Sequence, residues 1–175
     1  MNPAYLHLVL NHLPVLGTWF GLLLLSAGFI FKSNDLKKAS LVVFVLCALV
    51  AIPVFLTGEP AEGKIEGLPG VSEGLIEAHE AAAKFALILV EILGTASLLC
   101  LVFLQRGIRA ASLVLLGVWG LALLTGGLFV YTAKLGGQIR HTEVRDPGSS
   151  GGVAASSSAL DSGEENRKKG EHDDD

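Results

Sequence analysis

Four apolar runs, each about as long as a bilayer is thick, constrain this chain more than any other feature of its sequence. Crossing the hydrocarbon takes ~20 consecutive apolar residues in a helix. Runs of that order extend over about Leu6–Phe31, Ala39–Thr57, Ala78–Leu104 and Ala110–Lys134. Lipid offers no water to bond the backbone, so only helices or closed barrels span it, and uninterrupted apolar runs of this length read as helices. The predicted fold class is therefore all-α, a four-helix transmembrane up-down bundle. Asn2-Pro3 opens the first run as a cap followed by proline at the first helical position. That run is too long for a signal peptide and lacks a basic leader and a small-residue cleavage pattern, so it reads as a retained span.

Composition agrees with this reading. The chain is 51% hydrophobic and 17% charged, with a mean hydropathy of +0.56, whereas soluble domains carry about a quarter charged residues. Cys47 and Cys100 both fall inside apolar runs and read as small buried hydrophobes, not as a disulfide or redox pair. From Asp146 onward the sequence is Gly/Ser-rich and then charged, and it cannot bury enough apolar surface to fold. The expected organisation is thus a transmembrane domain over residues 1–145 and a disordered acidic tail over residues 146–175, with His172 solvated. A net charge of −4 makes the lipid bilayer, not nucleic acid, the expected partner.

Charge in the connections sets the expected orientation. Lys32, Lys37, Lys38, Arg106 and Arg109 flank the first and third turns, opposed only by Asp35. The middle loop carries Lys64 against Glu59, Glu62, Glu66, Glu73 and Glu77. The positive-inside bias puts the two short turns in the cytoplasm and both termini and the acidic loop outside, with Lys134, Arg140 and Arg145 arguing mildly the other way. Pro53 is expected to kink or fray the end of the second span. Gly17 with Gly21, and Ala122 with Gly126, are small-xxx-small pairs suited to close helix contact.

Alternating spans also gather the histidines. His7 and His12 sit at the entry of the first run, His79 lies between Glu77 and Glu80 in the stretch Ser72–Lys84, and His141 follows the fourth run. His79 precedes Phe85 by a rise of roughly 9 Å, at ~1.5 Å per residue. All four imidazoles are therefore expected in one layer at one membrane surface. At 100° per residue His7 and His12 point about 140° apart, so the two are not expected to face the bundle axis together. Glu80 and Lys84 stand in the favourable i,i+4 order. Glu91 lies several turns inside an apolar run, where an ionisable group usually faces a partner or a cavity. It reads either as a protonated carboxyl bonded to Thr95 or a neighbouring helix, or as a proton relay.

The segments LHLVLNHLPVLG (Leu6–Gly17), TGEPAEG (Thr57–Gly63), the pair His79-Glu80 and KLGGQIRHTE (Lys134–Glu143) resemble the bacterial membrane family known as domain of unknown function 2231. His7, His12, Pro14, His79, Gly136, Gly137 and His141 match its pattern. Leu8, where proline is usual, and Asn11 before His12 depart from it. The resemblance implies a multi-pass protein of the bacterial inner membrane whose relatives are associated with haem or with electron-transfer proteins.

Three functional readings follow. In the first, His7, His12, His79 and His141 supply axial ligands to a b-type haem of an electron-transfer subunit, with a redox partner protein or quinol as its counterpart. Glu77, Lys84, Glu91 and Glu143 would then orient the ligands or relay protons. In the second, His12, His79, His141 and Glu80 hold a non-haem copper, iron or zinc ion. In the third, the histidines are interfacial residues of a non-catalytic accessory or scaffold subunit. No nucleophile elbow, nucleotide loop or CxxC is present to suggest other enzyme chemistry. The orientation is directly testable: Gly67→Cys should react with impermeant thiol reagents in intact cells, and protection of that thiol would invert the topology.

Overall fold

The computed structural model describes residues 3–65 and 67–141, and among these every regular element is a helix. The order is α1 (Pro3–Leu10), α2 (His12–Ile30), α3 (Asn34–Leu56), α4 (Gly58–Glu62), α5 (Glu73–Gln105) and α6 (Ala111–Arg140). Four spans are long and apolar enough to cross a membrane: Ala4–Ile30, Asn34–Leu56, Glu73–Gln105 and Ala111–Ile139. These elements all belong to one compact unit, which ends at Arg140. The tail expected over 146–175 lies outside the described residues.

The first span is one apolar run but two helices. Pro14 has no N–H to give the Leu10 carbonyl, so the i→i−4 ladder lapses there and Asn11 forms a turn between α1 and α2. Pro53 acts similarly in α3, which ends one turn later at Leu56. The short turns close by backbone geometry. After α2, Lys32 takes φ 53°, Ser33 N–H returns to the Gly28 carbonyl at 3.1 Å, and the Ser33 hydroxyl accepts from Leu36 N–H at 3.4 Å. After α5, Gly107 takes φ 68° and Ile108 N–H returns to the Phe103 carbonyl at 3.0 Å. Both are Schellman closures, and only the second uses the glycine that φ > 0 favours.

Around the bundle α2 packs on α3, α3 on α5, α5 on α6, and α6 back on α2. Consecutive spans run in opposite senses, which is the up-down arrangement expected from the sequence. One interior cluster joins Leu22, Leu25, Leu41, Phe44, Leu93, Cys100, Leu115 and Val118. A second joins Cys47, Ala48, Ala51, Ala86, Val90 and Phe129. Both cysteines are free and buried, as their apolar setting suggested.

Small residues let the backbones approach. A Cβ on Gly17 would lie 2.5 Å from Cys47 Sγ, and one on Gly21 would lie 2.6 Å from the Phe44 ring. Gly126 lies against the Trp19 indole, with Ala122 fully buried one turn away. In lipid the hydrophobic effect does not hold helices together, so this close contact carries the association. Gly94 is the tightest case, because a Cβ there would meet the Ala48 Cβ at 2.5 Å, and neither methyl can rotate away. Gly94→Ala should therefore cost about 1–3 kcal/mol by overpacking, read as a lower thermal midpoint in detergent. Gly117→Ala, which meets nothing within 4 Å, should leave the midpoint unchanged or raise it.

Candidate functional site

The ends of α3 and α6 and the starts of α1 and α5 lie at one end of the bundle, and two histidines are built into it. A helix leaves its last carbonyls without intrahelical donors, and Val54 is in the last turn of α3. His7 Nδ1 reaches the Val54 carbonyl at 3.0 Å and the Thr57 hydroxyl at 3.2 Å, while that hydroxyl donates to the same carbonyl at 2.8 Å. The His7 Cε1 lies 3.7 Å from the Cβ position of Gly58, where α4 begins. The segment Gly58–Glu62 folds back as α4 onto α1, so the acidic loop begins as a lid on this pair of helices. Nothing in the sequence reading anticipated that helix.

His79 makes the corresponding bond from α5 to α6. Its Nδ1 lies 3.0 Å from the Thr132 carbonyl on α6. That carbonyl belongs to a helical turn, and a side chain reaches it only where the next turn is bare. Gly136 supplies the gap, since a Cβ there would come 3.0 Å from His79 Cε1. The Gly136-Gly137 pair singled out in the sequence is thus the seat of the His79 ring through its first member.

A carbonyl oxygen only accepts, so both Nδ1 atoms carry a hydrogen, and in the neutral ring this leaves the lone pair on Nε2. Metal-ligating imidazoles are typically held this way, with one ring nitrogen pinned on a carbonyl and the other left to bind. His7 and His79 are each half-buried. From Ala78, the neighbour of His79 in sequence, an apolar groove of about 620 Å³ runs between α5 and α6, lined also by Ala81, Ala82, Phe85, Ile88, Leu128 and Tyr131. That volume is in the ~300–1,000 Å³ range of small-molecule sites.

The other expected site residues are placed differently. His12 is exposed, with Nδ1 bonded at 2.8 Å to the Leu8 carbonyl of its own segment. His7 thus points inward and His12 outward. Glu80, expected as a metal ligand, is exposed and ion-paired with Lys84 at 3.0 Å, and Glu77 is also exposed. Glu91 lies deep in α5, far along the helix from His79, with Oε1 buried and lacking a hydrogen-bond partner. His141 opens the second unit, His141–Asp175, and is exposed; Glu143 lies outside the described residues. Among the described residues no three His, Cys, Asp or Glu side chains gather as a metal site. Of the expected ligands His12, His79, His141 and Glu80, Glu80 is drawn to Lys84 and His12 to its own backbone.

Two signals were readable in advance: the angular separation of His7 and His12, and the glycines opposite His79. The role of Val54 and Thr132 was not, because backbone carbonyls carry no sequence signature. Comparison with protein-family models, curated proteins and solved structures finds no match.

Proposed function

We propose that this chain is a four-span membrane protein whose histidine end holds a b-type haem between His7 and His79, as an electron-transfer subunit. The observation that carries this reading is the pair of half-buried imidazoles, each with Nδ1 fixed on a carbonyl of a different helix. Haem needs two axial nitrogens, and neutral imidazoles with a free Nε2 are suitable donors. A three- or four-ligand non-haem ion is less well served, since among the described residues no three His, Cys, Asp or Glu side chains gather. The neighbouring apolar groove, floored by alanines, suits the faces of a flat macrocycle, and Tyr131 at its rim offers a hydroxyl for a polar edge. When bound, haem supplies a one-electron redox centre. The chain's own part is to orient two imidazoles, hold their protons on Nδ1, and keep water from the ring faces. The family resemblance carried by His7, His79, Gly136 and Gly137 agrees with this use, and the positive-inside bias puts the site on the extracytoplasmic side of a bacterial inner membrane.

One observation favours a second reading. Each histidine joins two helices, so both also serve as hydrogen-bonded staples of an accessory subunit. Net stabilisation of about 1 kcal/mol each is expected from such bonds. The two readings separate in one experiment. Protein purified from haem-replete cells should show a Soret band that shifts on dithionite reduction. His7→Ala and His79→Ala should each abolish it, and His12→Ala should retain it. A colourless protein in which His7→Ala and His79→Ala lower only the thermal midpoint would make the histidines staples and remove the haem.

A further inference from the structure

The end of the bundle opposite His7 and His79 carries cations that the chain itself does not neutralise. Lys32, Lys37 and Lys38 lie in and just after the turn from α2 to α3, and Arg106 and Arg109 lie in the turn from α5 to α6, opposed by Asp35. Lys37 is occupied within the bundle. Its stem lies against Gly28, and its ammonium stands 5.5 Å from the centre of the Phe29 ring. Lys32, Lys38, Arg106 and Arg109 are exposed, and among the described residues none of these four forms an ion pair.

Packing of α3 on α5 brings two of the four together. Gly94 faces the stretch of α3 from Phe44 to Ala48, and the two helices run in opposite senses. Equal steps along both helices toward the basic end therefore bring Arg106 level with Asn34, the first residue of α3. Lys38 precedes Val45, whose Cα lies beside Gly94, by two helical turns, so it stands on the side of α3 that faces α5. With adjacent helix axes ~8–10 Å apart, Lys38 and Arg106 flank the mouth of one groove between two spans. The turns at this end are too short to lift either cation clear of the headgroup layer of a bilayer that the four spans cross. The phosphate of a lipid is thus the anion within their reach, whereas an acidic soluble protein would have to enter the headgroup layer to make the same contacts. A guanidinium and an ammonium together suit a phosphodiester. One turn deeper on the same two helices Val42 and Val102 are 46% and 36% exposed, which offers apolar surface to the chains of the same molecule.

We propose that Lys38 and Arg106 hold the phosphodiester of an anionic phospholipid, with its acyl chains over Val42 and Val102 and with Lys32 and Arg109 adding attraction from either side. Juxtamembrane cations act on anionic lipid in this way. The site does not depend on the haem reading, because it lies at the other end of the bundle from His7 and His79.

Native mass spectrometry of the delipidated full chain in detergent, titrated with phosphatidylglycerol, tests it. The first phosphatidylglycerol should bind about fivefold more tightly than the first phosphatidylcholine, whose phosphate is neutralised by its own choline. Lys38→Gln and Arg106→Gln should each weaken phosphatidylglycerol binding roughly fivefold with helix content unchanged, and Lys38→Arg should retain it. Lys64→Gln, which removes an exposed cation from the histidine end, should leave it unaltered. Equal affinity for the two lipids, or undiminished binding in both glutamine variants, would overturn the site. Inorganic phosphate that binds as tightly as the lipid would overturn the lipid as its source. An acidic polypeptide retained through Lys38 and Arg106 with no preference between the lipids would assign the patch to a protein partner instead.

Discussion

A span in lipid has no water to satisfy its polar groups, so each must find a partner in protein. That requirement organises the polar contacts of this bundle. The Trp119 indole N–H donates to Ser26 at 2.9 Å across the contact of α6 with α2. Ser26, Thr125 and Thr132 return their own hydroxyls to carbonyls one turn back. His7 caps a carbonyl that the end of α3 leaves open, and His79 reaches one that Gly136 leaves accessible. Among the described residues, three buried oxygens find no such partner in the bundle: Thr18 Oγ1, Ser97 Oγ and Glu91 Oε1.

The same constraint links stability to chemistry. A histidine that staples two helices through Nδ1 is left with its Nε2 lone pair unused and its ring direction fixed. Preorganisation of that kind is what a ligand site requires, and it arises here from ordinary helix ends and a glycine. The site needs no feature that the fold would not otherwise need. Close packing at Gly17, Gly21 and Gly94 then keeps the stapled ends in register, because helices held this near to α3 cannot slide without collision.

Much of the fold was legible because span length and apolarity are set by the bilayer, not by details of packing. The short turns and the up-down order followed from that alone. The break at Asn11 was less visible, since its cause, Pro14, lies three residues further on. The helix at Gly58–Glu62 was not legible: five residues containing Pro60 and two glutamates give no periodicity to read. At the site, the opposed directions of His7 and His12 followed from helical geometry. Which of them turns inward depended on the open Val54 carbonyl. Glu80 looked like a ligand from its place beside His79, but Lys84 one turn away holds it at the surface. Sequence adjacency and the i,i+4 ion pair pointed in different directions, and the ion pair prevailed.

The central claim is that His7 and His79 hold their protons on Nδ1 against backbone carbonyls and present Nε2 as free donors. Nitrogen-15 NMR of histidine-labelled protein in lipid nanodiscs, at a pH where the rings are neutral, reads the tautomer of each ring directly, with single-histidine substitutions giving the assignments. The account predicts the Nδ1–H form for both residues. An Nε2–H tautomer at either would break the carbonyl bond on which its orientation rests and contradict the account.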